Sequence, residues 1–257
     1  MEKQKDMDSV THSELSILTE EEKISAVVSA LREASRVKRC KLNEIEYTKR
    51  LKEKPAMIQI TSVALFNQAI SLAKSEIIDF ALTKEEERIY KLTSMYFAKD
   101  PDFEKMGYSL KKGLLIYGNI GCGKTTMMKI FARIAPQSFM VVTCREIGHM
   151  FSKKGYDSIE SFFSPIFTDL GKREIGVCFD DLGTESIAKN YGNEANVMAE
   201  IVQSRYENAS GGMFNTHTTT NMNEQQILDC YGDRVASRIR GMFNTIDFPE
   251  SSVDKRK

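Results

Sequence analysis

The chain has 257 residues, 41% apolar and 28% charged, with 36 Lys plus Arg against 36 Asp plus Glu. That length holds one α/β domain and a smaller appendage, and the composition is that of a soluble globular chain. Balanced charge excludes a globally basic nucleic-acid binder, so any such contact must come from a local patch.

No apolar run is long enough to span a bilayer, and the charged start Met1-Glu2-Lys3 shows no secretory signal. A cytoplasmic protein with no membrane partner is the expectation. Cys40, Cys122, Cys144, Cys178 and Cys230 are scattered, which predicts free thiols.

Residues 1–107 read as an N-terminal helical region. Thr19-Glu20-Glu21-Glu22 is a capping box, followed by an apolar stripe of Ile24, Val27, Val28 and Leu31 at helical spacing. A basic cluster from Arg32 to Lys54 comes next and suits a solvated helix face better than a DNA contact. A second helix is expected from Ser62 to Ile77. A third opens at the capping box Thr83-Lys84-Glu85-Glu86 and ends at Asp100-Pro101.

Residues 108–257 alternate strand and helix, the pattern of a parallel sheet flanked by helices. The strand Gly113 to Tyr117 runs into Gly118-Asn119-Ile120-Gly121-Cys122-Gly123-Lys124-Thr125, and a helix follows from Thr126 to Ile134. Strand, glycine loop and helix are the setting of a phosphate-binding loop. Backbone N–H groups from Gly118 to Thr126 cradle phosphate oxygens, helped by the helix N-terminus. Lys124 reaches the β- and γ-phosphates, and the Thr125 hydroxyl ligates Mg²⁺. Cys122 stands inside this loop, which predicts an accessible thiol filling a variable position.

Further along, Phe139 to Thr143 is a strand, Glu146 to Lys153 and Ser158 to Ile166 are helices, and Glu174 to Phe179 is a strand. That last strand ends in Asp180-Asp181-Leu182-Gly183. Carboxylates at the C-terminal end of a parallel strand stand where ligands bind in open α/β sheets. Asp180 suits Mg²⁺ and Asp181 the attacking water, although the same four residues also suit a plain turn. Glu194 to Glu207 is a helix and Phe214 to Thr220 a strand. Asn221 then serves either the γ-phosphate or, like Asn223, the cap of the next helix. Two short helices and a strand from Asn244 to Phe248 close the pattern. Arg234 and Arg238, four apart, share one helix face.

Taken together, the phosphate loop, Asp180 to Glu185, Thr219-Thr220-Asn221 and Asp233 to Arg238 resemble the AAA+ ATPases. Within them the chain resembles DnaC-type helicase loaders and IstB-type transposition helpers, in a phage or mobile-element version, over Tyr108 to the C-terminus. The resemblance implies a P-loop NTPase that binds ATP and Mg²⁺ and hydrolyses ATP slowly. It implies Asp180 and Asp181 as the Walker B pair, Asn221 as a nucleotide sensor, and Arg238 as an arginine finger acting in trans within a homo-oligomer, with Arg234 the weaker candidate. It also implies a replicative helicase held by residues 1–107. Single-stranded DNA would bind near Arg145 to Arg173, through Lys153, Lys154, Lys172 and Arg173. The chain departs from many AAA+ proteins in having no C-terminal lid after Phe248, with Arg256 a weak substitute for the lid's arginine. Competing readings are a helper of a transposase that binds duplex DNA, a nucleotide-gated scaffold, and a small-molecule kinase.

Overall fold

The computed structural model describes residues 60–164, 166–167, 174–185, 188–190, 193–208, 215–249, 251–252 and 254–255, with 19–21, 23–24, 27 and 31 in the N-terminal part. Contacts divide the chain into two compact units, Met1–Ile58 and Gln59–Lys257. In the first, Ile24, Val27 and Leu31 lie on a helix and are exposed. Glu22, Val28 and the basic residues from Arg32 to Lys54 lie outside the described residues, as do Lys172, Arg173 and Arg256.

The second unit opens with helices α1 (Ser62–Glu76), α2 (Lys84–Phe97) and α3 (Asp102–Lys105). Strand β1 (Gly113–Tyr117), helix α4 (Lys124–Ile134), strand β2 (Phe139–Thr143) and helix α5 (Cys144–Lys154) follow. Then come β3 (Ile166–Phe167), β4 (Glu174–Leu182), β5 (Ala188–Asn190) and β6 (Asn193–Ala195). Helix α6 (Val197–Asn208), β7 (Thr216–Thr220), α7 (Glu224–Met242) and β8 (Phe243–Asp247) complete it. The main sheet has the order β2-β4-β7-β1-β8, and every neighbouring pair on that path is parallel. Short β3 adds antiparallel to β4, and β5 with β6 forms a separate hairpin. Among the described residues no helix is long and apolar enough to cross a membrane.

The two compact units divide between Ile58 and Gln59, so α1 and α2 belong to the unit that holds the sheet. Helices α1 and α2 are amphipathic and bury their stripes in the core of the sheet's own unit. Leu65, Ala69, Ile89, Tyr90 and Phe97 share that core with Leu114, Ile116 and Phe131. Phe97 stacks on Phe139 at 5.2 Å between ring centres and on Phe131 at 5.3 Å. An apolar helix face finds its cover in the nearest sheet. The expected cap of α2 is present: Thr83 Oγ1 accepts from Glu86 N, and Glu86 returns a bond to Thr83 N.

Four sequence expectations change. Where a helix is expected over 158–166, the described residues form the short 3₁₀ turns Tyr156–Ser158 and Glu160–Phe162, and Ile166 opens β3. Pro165 disfavours helical backbone at Ser164, and the buried Arg205 guanidinium takes the Phe162 and Ser164 carbonyls at 3.0 and 2.7 Å. Second, α6 starts at Val197, three residues late, because Asn196 Oδ1 accepts from Ala199 N as a cap. Third, the two short helices after Asn221 run together as α7, broken only by Gly232 at φ 78°. Fourth, the Cys122 thiol is buried, not accessible.

Strand β7 is polar yet wholly buried, and its hydroxyls are all used. Thr218 and Thr220 donate to the Phe179 and Leu182 carbonyls at 2.8 Å each. These carbonyls flank a register shift in the β4–β7 pairing, so the threonines supply bonds that the ladder gives up there. His217 accepts from Leu114 N–H through Nδ1 and bonds Asn215 Oδ1 through Nε2, which fixes the Nε2–H tautomer. Burial, then Arg205, depress its pKa from 6.5 to about 3. A depressed histidine contributes stability that is complete above pH 6.5. It is lost as pH falls towards 3, because the unfolded chain takes the proton first. Denaturant titrations should therefore show a loss approaching roughly 1.4 kcal/mol per pH unit from this residue between pH 6.5 and about 3. His217→Gln should remove that slope; an unchanged slope would contradict the assignment.

Candidate nucleotide-binding site

β1, β7 and β4 are consecutive neighbours in the sheet, so their C-terminal ends open on one place. The loop Gly118–Gly123 follows β1, Asp180 and Asp181 lie at the end of β4, and Asn221 follows β7. They surround a cavity of about 340 Å³ whose wall includes Gly121, Cys122, Gly123, Lys124, Thr125 and Thr126. Asp181, Thr184, Asn221 and Arg145 line it as well. Its lining also includes the apolar and aromatic Ile77, Phe80, Tyr90, Ile120 and Phe248, together with Lys255. The lining thus combines polar groups that suit phosphate oxygens with aromatic groups that suit a flat base.

The loop has the backbone that its glycines permit. Gly123 caps α4 at φ 103°, a left-handed conformation that turns the N–H groups of the first turn towards the cavity. The Lys124 side chain is only 5% exposed, and Nζ donates to Gly118 O at 2.8 Å and Asn119 O at 2.9 Å. The loop therefore holds its own lysine at the cavity wall, on two of its own carbonyls.

Thr125 lies in the first turn of α4 and its hydroxyl donates to Asp180 Oδ1 at 2.9 Å. Thr219 donates to the same oxygen at 2.7 Å while accepting from Asp181 N–H at 2.9 Å. Burial raises the Asp180 carboxyl above its ordinary value; the Thr219 and Thr125 bonds oppose that, and Asp181 adds to it. A buried, hydroxyl-paired carboxylate beside a second hydroxyl offers hard oxygen donors, and the pair Thr125 and Asp180 fits a Mg²⁺ ion. Asp181 sits at φ 57°, an uncommon conformation outside glycine, and its carboxylate faces the cavity. Behind it, Glu185 accepts from Gly183 N–H at 2.9 Å and from the Tyr231 hydroxyl, tying the acidic turn to α7 just before its break.

Asn223, not Asn221, caps α7: its side chain accepts from Gln226 N in a full capping box. Asn221 is left to face the cavity. Arg238 is elsewhere, with its guanidinium donating to Gln203 and Glu207 of α6 at 2.6 Å each and lying over the Tyr206 ring. Its side chain is 12% exposed, against 76% for Arg234. The structure thus brings Gly121–Thr126, Asp180, Asp181 and Asn221 together and keeps Arg238 apart. Sequence reading missed Thr219, the apolar lining of the cavity and Lys255, which also lines it. Thr219 enters the sequence pattern only as part of Thr219-Thr220-Asn221, and the others carry no spacing signal.

Residues 114–204 match the family model of the "ATPase family associated with various cellular activities (AAA)". The matched segment has the P-loop AAA fold. Over 61 residues the chain is 38% identical to Cell division control protein 48 homolog B of Arabidopsis thaliana, covering 24% of this chain and 10% of that protein. Over 111 residues it is 31% identical to a proteasome-activating nucleotidase of Thermococcus onnurineus (strain NA1), covering 41% of this chain and 27% of that protein. The chain thus spans a minor part of either relative. A crystal structure of the DnaC helicase loader is similar at TM-score 0.44 and 16% identity, covering 66% of this chain and 93% of that one. A crystal structure of a DNA replication initiation factor is similar at TM-score 0.41 and 14% identity, covering 66% and 47%.

Proposed function

We propose that the chain binds ATP with Mg²⁺, assembles through it into a homo-oligomer, and acts as a DnaC-like loader of a replicative helicase on single-stranded DNA. The observation that carries the ATPase reading is the convergence of Lys124, Thr125, Asp181 and Asn221 on one cavity that aromatic side chains also line, with Asp180 bonded to Thr125 beside it. Thr125 and Asp180 would hold Mg²⁺, which supplies charge neutralisation on the phosphates when bound. Lys124 exchanges the Gly118 and Asn119 carbonyls for β- and γ-phosphate oxygens. Asp181 orients the attacking water and draws its proton, and Asn221 donates to the γ-phosphate. These roles are positioning and electrostatics, the two main sources of catalysis in phosphoryl transfer.

The loader reading rests on the motif set and on two further features. The exposed Ile24, Val27 and Leu31 at helical spacing suit the groove of a protein partner. Exposed Lys153 and Lys154 end α5, near exposed Arg145 at its start, and suit a nucleic-acid backbone.

Phosphate release measured across protein concentrations should rise steeper than linearly. Single-stranded DNA or the helicase of the same host should raise it further. Stimulation by duplex DNA alone would favour the transposition helper. Transfer to a small acceptor without free phosphate would establish a kinase, and absence of ATP uptake in calorimetry would end the nucleotide reading.

A further inference from the structure

Beyond the motif residues, the segment after β8 returns to the cavity. Lys255 N–H donates to Gly121 O at 3.1 Å, at the turn of the phosphate loop. The Asp254 carboxylate occupies the space beside Gly121: a Cβ there would stand 2.0 Å from Asp254 Oδ1. Glycine at 121, with φ 80°, lets the segment lie directly on the loop.

The same segment grips α2. Lys255 Nζ lies 2.8 Å from Glu86 Oε1, and Ser252 Oγ donates to that oxygen at 3.1 Å. Glu86 Oε2 accepts from Thr83 N–H at 2.9 Å, closing the helix cap. One oxygen thus serves the cap and the other serves the segment. A capping glutamate needs no burial, yet Glu86 is 1% exposed while Lys255 is 34% exposed. Burial alone raises the Glu86 carboxyl, but the Lys255 bond leads the interactions that hold it below the ordinary value. A carboxylate this buried requires its cation. Lys255, Phe80 and Tyr90 line the same cavity as Gly121.

We propose that Lys255 is a positioning residue of the nucleotide site: its backbone holds the phosphate loop and its ammonium locks that loop to Glu86 of α2, beside the bound base. The inference rests on the nucleotide reading above. Its physical basis is preorganisation. A loop already held in its binding shape loses less freedom when a nucleoside triphosphate enters.

The test is calorimetry of the full-length chain with ATP and Mg²⁺, alongside thermal melting without nucleotide. Lys255→Ala should weaken binding about tenfold, the scale of one lost preorganising contact. Lys255→Arg keeps the cation and should restore most of the affinity. Glu86→Gln keeps the cap, since glutamine serves at that position of a capping box, and should weaken binding to a similar degree. The double variant Glu86→Gln/Lys255→Ala should bind no worse than the weaker single, because both break one link. Wild-type affinity in Lys255→Ala, or equal loss in the Ala and Arg variants, overturns the proposal. A wild-type chain that takes up no ATP overturns the nucleotide reading instead.

Discussion

Lys124→Ala is expected to lower ATP affinity by about 10²- to 10³-fold, which corresponds to one or two charge-assisted bonds to phosphate. Nζ already lies at the cavity wall with two loop carbonyls as partners. Moving from carbonyl to phosphate oxygen keeps its hydrogen bonds and gains an anionic partner, so little of its conformational freedom remains to be lost. The same variant removes the donor that ties Gly118 and Asn119 together, and a drop of about 1 kcal/mol in stability without nucleotide is expected. Lys124→Arg should not restore affinity, because a planar fork does not fit the place of a point charge held inside the loop. Isothermal titration separates these outcomes, and full affinity in the alanine variant would remove the role assigned to Lys124.

Arg238→Ala should keep ATP binding and lose turnover by about 10³-fold or more, the range for a cation that stabilises the transferring phosphate. Within its own chain the guanidinium is occupied by Gln203 and Glu207, so service to a neighbour requires exchange of these contacts. Glu207 is 56% exposed, and its ion pair adds little to stability. Glu207→Gln should therefore leave the fold intact and turnover undiminished. Mixing supplies the decisive measurement. Lys124→Ala protomers retain Arg238, and Arg238→Ala protomers retain a complete nucleotide site. Together they should recover turnover that neither has alone. No recovery, or a full loss in Arg234→Ala with Arg238→Ala unaffected, would move or remove the trans assignment.

The phosphate loop was legible because its chemistry is local. Glycines that allow the turn, a lysine and a threonine must follow each other at fixed spacing, and a strand and helix must flank them. The cap Thr83 to Glu86 was legible for the same reason, since both partners lie within one helical turn. Asp180 and Asp181 were legible from their place at a strand end. Asn221 was left between two roles by sequence. Only the bond from Asn223 to Gln226 N removed capping from it.

What the chain order alone determined is thus the set of short-range devices: most elements, the caps, the glycine loop between β1 and α4, and the placement of the acidic pair at the end of β4. Tertiary structure decided the rest. It buried α1 and α2 in the core that holds the sheet, turned the residues after α5 into 3₁₀ turns held by Arg205, and tied Arg238 to α6. It also gave Glu86 a second partner in Ser252, 166 residues away. Periodicity and spacing report backbone bonds that close over a few residues. Contacts across such separations depend on which faces the sheet brings together, and no local pattern encodes that.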